Sequence, residues 1–422
     1  MAILLGAIAD DFTGATDLAN TLVKEGMPTI QTFGIPTKDF DPGKAAAIIV
    51  ALKSRSTPVG DAVQESLEAL EWLMSLGAKQ FFFKYCSTFD STAEGNIGPV
   101  AEALLGRLGE PFSIACPAFP TNGRTIYKGH LFVGDLLLSD SSMKDHPLTP
   151  MNDANLVRFL GRQTTGSVGL VPFEDVEAGS EAIRQTYERL SALGNMFAVV
   201  DALNDQNLYA IGEASKDLKL ITGGSGVALG IPENFRKSGE LQSADGCYQW
   251  QPDGRAAVLS GSCSAMTRAQ VAAVKDRWPC FNLEAIALDK DKKGVVEEVL
   301  AWVDKQDGDV PYLIYSSADP GDVAKVQEQL GRTRAGLLVE EAMGVIAAGI
   351  IKRGVGRLVV AGGETSGAVV KSLGVEAIQI GKEIDPGVPW CKTIGDVSLS
   401  LALKSGNFGN EDFFTKAFEV LG

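Results

Sequence analysis

The chain has 422 residues, 45% of them apolar and 22% charged, a globular composition on a length beyond the reach of one hydrophobic core, so two domains are expected. Lys and Arg number 38 against 53 Asp and Glu, and the net charge of -15 repels polyanions, which sets aside nucleic acid and anionic membrane as partners. A small anionic ligand stays open, because a few convergent cations decide the field at a site.

The first residues, MAILLGAIADDFTG, meet carboxylates after a short apolar run and lack a basic leader or a small-residue cleavage site, so they read as a strand rather than a signal peptide. No window approaches the roughly 20 uninterrupted apolar residues of a membrane span, and a soluble cytoplasmic protein is expected. Residues 3–9 read as a strand and 15–25 as a helix closed by Gly26. Buried strands are expected at 46–52, 80–84, 112–116, 168–172 and 197–200. Residues 231–255 lose periodicity and gather Pro, Gly, Ser and charge, as a linker or irregular crossover does. The alternation restarts with strands at 256–260, 312–315 and 357–361, each followed by a helix-like segment. The expected fold class is α/β, with two domains, each a mainly parallel sheet covered by helices, and the active site in the cleft between them. The domains are placed at 1–235 and 250–422.

The six cysteines (86, 116, 247, 263, 280 and 391) are scattered singly with no C-x-x-C, which argues against a disulfide framework and a zinc site and suggests small buried apolar groups. Only His130 and His146 are present, too little for a His-based metal site or a Ser-His-Asp triad; His146 could line a substrate cleft.

Where the first strand ends, Asp10 and Asp11 precede Thr13 and Gly14 at the start of a helix. Adjacent carboxylates can hold hydroxyls, and burial with mutual repulsion can make one a general base; the N–H groups after Gly14 suit an anion. The plainer reading is an acidic turn with Thr13 as N-cap. The apolar strand 80–84 delivers Lys84 to the same edge, where a substrate carboxylate would satisfy it beside Ser87 and Thr88, unless Asp10, Asp11 or Asp90 pairs with it internally. Asn122 and Arg124 lie in a loop stiffened by Pro117 and Pro120, suited to orienting a polyhydroxy acid or to forming an Asn-Gly turn.

In the second half, Ser260, Gly261, Ser262, Cys263 and Ser264 form one small-residue turn between strand and helix. Gly362, Gly363, Glu364, Thr365, Ser366 and Gly367 form another, and Lys404, Ser405 and Gly406 add a third glycine loop. Such loops let phosphates approach backbone N–H groups. No G-x-x-x-x-G-K-[ST] is present, so the cradle is not the usual P-loop, and Gly223-Gly224-Ser225-Gly226 is the weaker nucleotide candidate.

The stretches IADDFTGA, KYCSTFDST, CPAFPTNGRTIYKGHLFV, LSGSCSAMT, AGGETSG and KSGNFG, in this order over nearly the whole chain, resemble the four-carbon acid sugar kinase family. Residues 8–36 and 143–160 look most like the branch whose acid carries a 3-oxo group, rather than the D-threonate or D-erythronate branches. The resemblance implies an N-terminal acid-sugar domain, a C-terminal ATP domain and phosphorylation of the C4 hydroxyl, with Mg²⁺ bridging the ATP phosphates. It makes Asp10, Asp11, Lys84, Asn122 and Arg124 substrate-site candidates. It also makes Ser260, Ser262, Gly362, Gly363, Glu364, Thr365 and Gly406 nucleotide candidates. Asp10 or Asp11 is expected to accept the hydroxyl proton, and Lys84 or Arg124 to clamp the carboxylate; a homodimer is allowed. Two other classes are a non-catalytic acid-sugar sensor and an NAD-dependent dehydrogenase, the latter without a strand-borne G-x-G-x-x-G.

Overall fold

Apolar runs with no polar face are satisfied only by burial on both sides, and the computed structural model, which describes residues 3–36, 40–145, 149–242, 246–308, 310–317 and 320–421, uses them as inner strands. The chain divides into two compact units, Met1–Cys247 and Tyr248–Gly422. Within the stretch expected to be a linker, residues Ile231–Lys237 instead form a helix with Pro232 in its first turn, where a missing N–H is harmless.

In the first unit, strands β1 (Leu5–Ala9), β2 (Thr29–Phe33), β3 (Ala47–Ala51), β4 (Gln80–Lys84) and β5 (Ser113–Cys116) come first in the chain. A short antiparallel sheet follows, made of β6 (Arg124–Tyr127), β7 (His130–Val133) and β8 (Leu136–Leu137), and then β9 (Ser167–Val171), β10 (Asn195–Val200) and β11 (Leu220–Gly223). The main sheet runs β2-β3-β1-β4-β11-β5-β10-β9 and is parallel throughout. Phe81, Phe82 and Phe83 of β4 are 4%, 1% and 2% exposed. Burying each contributes about 1.5–3 kcal/mol, which makes β4 a strong centre for the sheet. Strand β2, with its buried Thr29, Gln31 and Thr32, was not expected as a strand, because those polar groups hide its burial; Gln31 is satisfied by Thr16 and by the Phe12 carbonyl. The β6–β8 sheet also escaped the sequence reading. It hangs on Asp201, whose buried carboxylate accepts the N–H groups of Lys128, Gly129 and Phe173 at 2.7, 2.8 and 3.0 Å.

In the second unit, β12 (Arg255–Ser260), β13 (Cys280–Asn282), β14 (Tyr312–Tyr315), β15 (Val355–Ala361), β16 (Ala377–Asp385), β17 (Val388–Ile394) and β18 (Ser400–Lys404) form the order β13-β14-β12-β15-β18-β17-β16. The pairs from β13 to β18 are parallel, and β17 and β16 extend the sheet antiparallel.

In each unit the connections from two neighbouring strands leave in opposite directions. From β1 the chain moves to the β2 side of the sheet and from β4 to the β5 side; from β12 it moves to the β13 side and from β15 to the β16 side. The carboxyl ends of β1/β4 and of β12/β15 are therefore switch points, where diverging connections leave a crevice. Only Cys116 and Cys391 are fully buried, fewer than expected. Among the described residues no helix is long and apolar enough to cross a membrane.

Candidate active site

At the first switch point, main-chain bonds tie the strand ends in sequence across the edge. Ser54 N–H donates to Asp10 O, Asp10 N–H to Lys84 O, Tyr85 N–H to Gly223 O and Gly224 N–H to Cys116 O, at 3.0–3.1 Å. The glycines of the Gly223 loop are there for close packing: a Cβ on Gly223 would lie 2.3 Å from the Cys116 carbonyl oxygen, and one on Gly224 2.7 Å from that of Pro117. This loop thus serves the first unit's edge.

Asp10 and Asp11 converge on a residue the sequence reading missed, Arg55. Its Nε and Nη2 donate to Asp10 Oδ2 and Oδ1 at 2.9 and 2.8 Å, and Nη2 also lies 2.9 Å from Asp11 Oδ1. Asp90 stands 3.9 Å from Nη1. Asn96, at the head of the helix Ile97–Leu108, donates to Ser54 O at 2.6 Å and Thr57 O at 2.9 Å and so braces the loop that carries Arg55. The signal was present: Arg55 follows β3, the neighbour of β1, and a cation just past one strand end can reach carboxylates at the next.

The two carboxylates differ. Both oxygens of each are engaged, but only 6% of the Asp10 side chain is exposed, against 28% for Asp11. Burial pushes the Asp10 carboxyl above the ordinary carboxylate range despite Arg55. Burial also acts on Asp11, but the charges of Arg55 and Lys84 and the bonds from Thr13 and Gly14 outweigh it and hold that carboxyl below its usual value.

Asp11, not Thr13, is the N-cap of the helix Phe12–Lys24. Its Oδ1 accepts the Gly14 N–H at 3.0 Å and its Oδ2 the Thr13 hydroxyl at 2.9 Å, while Ala15 N–H returns to Asp11 O. The N–H groups expected to be open to an anion after Gly14 are consequently filled by the protein itself. A Cβ on Gly14 would stand 2.2 Å from Asp11 Oδ1 and 3.2 Å from Lys84 Nζ, which shows how closely the lysine approaches this turn.

Lys84 is 3% exposed and its Nζ donates to Tyr85 O at 2.8 Å; among the described residues no carboxylate lies within ion-pair distance, so the internal pairing considered for it does not form. Thr88 turns instead to Asp90, at 2.5 Å, and Ser87 lies part-buried in the same loop. Phe89 holds this loop with φ +53°, a strained value for an aromatic residue, anchored by ring contacts to Tyr85 and Phe159. Arg124 bonds the Asn122 carbonyl, and its buried Nε has no partner. His130 is held by Lys128 O and Asn155 within the small sheet, and His146 lies outside the described residues.

At the second switch point the small-residue loops come together. Gly261 N–H donates to Ala361 O at 3.1 Å and Gly362 N–H to Lys404 O at 2.8 Å. Ser264 caps the helix Ala265–Lys275 and donates to Gly406 O at 2.6 Å. Ser260 bonds Ser317, which donates to Ser262 O at 2.6 Å. Gly362 sits at φ +125°, and a Cβ on Gly261 would lie 2.3 Å from Thr365 Oγ1, so glycine is required at both. The helix Gly363–Leu373 starts with no side-chain cap, with Glu364 in its first turn and Thr365, Ser366 and Gly367 buried behind it. Lys404 is fully buried, its Nζ turned onto Thr267, Ser405 and Gly406.

A cavity of about 590 Å³ opens in front of Gly261–Cys263 and Gly362–Thr365. Its far wall was not legible as a site: Leu283 and Ile286 follow β13, and Val326 and Val339 come from the helices Pro320–Leu330 and Arg332–Ile351. Apolar walls, a few polar groups and an uncapped helix start at one end suit a ligand with a flat apolar part and an anionic tail.

Comparison with known proteins places this geometry in a family. A family model described as a sugar-binding N-terminal domain matches residues 5–231, and one described as a nucleotide-binding C-terminal domain matches 257–414. A 3-oxo-tetronate kinase of Burkholderia multivorans is 55% identical over 419 residues, 99% of this chain and 97% of the relative. One of Haemophilus influenzae is 46% identical over 98% of this chain and 99% of the relative. A crystal structure from Salmonella typhimurium superposes with TM-score 0.90 at 43% identity, covering 98% of each chain, and one from Haemophilus influenzae with 0.82 at 44%, covering 99% of this chain and 100% of that one. Similarity at this level over both domains leaves one assignment: the chain belongs to the four-carbon acid sugar kinase family, with 3-oxo-tetronate kinases among its near relatives.

Proposed function

We propose that this chain is an ATP-dependent kinase that transfers the γ-phosphoryl group to the C4 hydroxyl of 3-oxo-tetronate. The observation that carries the reading is the pairing of a carboxylate–arginine–lysine edge in a sugar-binding unit with a 590 Å³ cavity fronted by glycine loops in a nucleotide-binding unit. The near relatives named as 3-oxo-tetronate kinases support the choice of acid.

In this reading Asp11 is the general base, since it is the exposed member of the carboxylate pair, while Asp10 orients Arg55. A weak, well-placed base suffices, because little charge builds on the attacking oxygen in phosphoryl transfer. Lys84 and Arg124 hold the substrate carboxylate, with Thr13, Gly14, Ser87, Thr88 and Asn122 shaping the edge. The C4 oxygen attacks phosphorus as its proton passes to Asp11, and the bond to the β–γ bridging oxygen breaks to release ADP. In-line transfer needs the bound hydroxyl and the γ-phosphorus at contact distance with water excluded.

The apolar wall of the cavity would hold the adenine, and the loops at 260–264 and 362–365 would offer the phosphates the N–H groups not already spent on Ala361, Lys404 and Ser262. Mg²⁺ supplies charge neutralisation on the phosphates when bound. Such an ion would be held largely by nucleotide oxygens, with Glu364 the carboxylate of the loop at 362–365.

The direct test is ADP release with MgATP against 3-oxo-tetronate, D-threonate, D-erythronate and L-threonate, with NMR on the product. A 4-phosphate formed fastest from the 3-oxo acid is expected. Turnover confined to a hydroxy acid moves the substrate within the family, and ATP-independent acid binding alone favours a sensor. At the nucleotide loops, Gly362→Ala places a side chain at φ +125° with its Cβ 2.9 Å from Thr365 Oγ1. Strain of about 1–3 kcal/mol at this turn predicts a rise of roughly tenfold or more in the KM for ATP, with the KM for the acid unchanged.

A further inference from the structure

Lys404 is among the largest fully buried side chains, and no carboxylate of the described residues lies within ion-pair distance of it. Its Nζ contacts Thr267 Oγ1 at 3.1 Å, Ser405 O at 2.9 Å and Gly406 O at 2.9 Å. The Thr267 hydroxyl spends its own proton on Gly406 O, at 2.7 Å, so towards Lys404 it is an acceptor. All three partners are therefore acceptors, and only an ammonium has three N–H groups to give; a neutral amine would turn a lone pair on one of them.

The same residue sits where the loops meet. The Gly406 carbonyl receives Lys404, Thr267 and Ser264 together, and the Lys404 carbonyl receives the Gly362 N–H. A Cβ on Gly406 would stand 2.7 Å from Ser262 Oγ, so this turn fits against the first loop.

We infer that Lys404 is a positioning residue of the nucleotide site that works as a cation, locking the Gly406 turn to Ser264 and Thr267 and taking up its proton when a polyanionic nucleotide fills the loops it supports. This rests on the reading of the second unit as the ATP site.

Burial pushes the Lys404 ammonium down to about 7, so near neutral pH its charged and neutral forms are comparably populated. The titratable and charged groups on the elements around it leave that balance alone. Arg268 turns to the Cys263 carbonyl, Asp385 pairs with Lys416 and accepts the Asn410 N–H, and Glu364 heads the helix after Gly362. None of them forms an ion pair with Lys404 among the described residues. Nucleotide phosphates favour the charged form and raise the pKa, so binding takes up a proton, and affinity is highest below the free pKa and falls as pH rises through it.

The test is calorimetry of MgATP binding without acid acceptor, from pH 6 to 9 and in buffers of different ionisation enthalpy, on the full chain and on Lys404→Met. The wild-type protein is expected to take up protons between pH 7 and 8.5, with affinity falling up to about tenfold per pH unit in that window. Lys404→Met is expected to bind about 10- to 100-fold more weakly at pH 6.5, to lose the proton uptake, and to keep its KM for the acid. Its thermal midpoint is expected to hold, since the variant also removes a buried unpaired charge. A merely structural lysine would move stability without moving proton uptake. ATP binding by the wild-type protein without excess uptake overturns the inference while leaving the ATP site in place, and does so even where the variant fails to fold. Absence of ATP binding at every pH overturns both.

Discussion

Arg55→Met is expected to lower stability by about 2–4 kcal/mol and to reduce kcat/KM by about 10²- to 10⁴-fold. Removing one member of a buried ion pair leaves its partners charged and desolvated, which for a fully buried pair costs about 3–5 kcal/mol. The figure is discounted here because the Arg55 and Asp11 side chains retain 26% and 28% of their exposure, whereas Asp10 retains 6%. The variant's deficit should shrink in acid. Without Arg55 the desolvation that already raises Asp10 is unopposed, so the folded state binds more protons than the unfolded chain and stability falls as pH rises. Urea unfolding at pH 5 and pH 8 checks this, and an equal loss at both would show that Asp10 does not depend on Arg55.

Asp11→Asn separates the two roles that one residue carries. Asparagine caps a helix about as well as aspartate, so the bond to Gly14 N–H survives, and the stability lost is that of the attraction from Arg55 and Lys84, screened at a side chain still 28% exposed. The base is lost, and kcat should fall about 10²- to 10⁴-fold. Asp10→Asn reverses the pattern: it leaves Arg55 half-paired in a buried setting and acts on stability first. The measurement is kcat and urea midpoint for both variants side by side. An Asp11→Asn enzyme with kcat intact would remove Asp11 from the chemistry. Because the neighbouring cations hold the Asp11 carboxyl below its usual value, the acid limb of the kcat profile should lie below the ordinary carboxylate range and vanish in this variant.

Much of the candidate site is legible in the sequence, for a local reason. A buried strand that ends in polar residues followed by a helix start marks a strand edge where ligands can bind, which singles out Asp10, Asp11, Lys84, Gly261 and Gly362 as candidates. Arg55 is not among them, because its meaning depends on β3 lying beside β1, a neighbour relation that lies between strands rather than along them. The same holds for Leu283 and Val339, ordinary apolar residues until the chain places them across the cavity from Gly362. Thr13 and Asp11 exchanged roles because either can cap a helix, and only backbone geometry selects one.

Local sequence carried the α/β class, a division placed within residues 231–255 and the carboxylate and glycine loops singled out as candidates, because strand burial, turn-forming glycines and terminal polar groups are written in short stretches of chain. Tertiary structure alone decided which charges are paired. Asp10 met Arg55 across 45 positions of sequence and Asp11 joined them, Lys84 was left to a carbonyl, and Lys404 was turned inward onto its own turn. Electrostatic partnership is a matter of a few ångströms in space, and only the register of the strands brings side chains distant in sequence within that range.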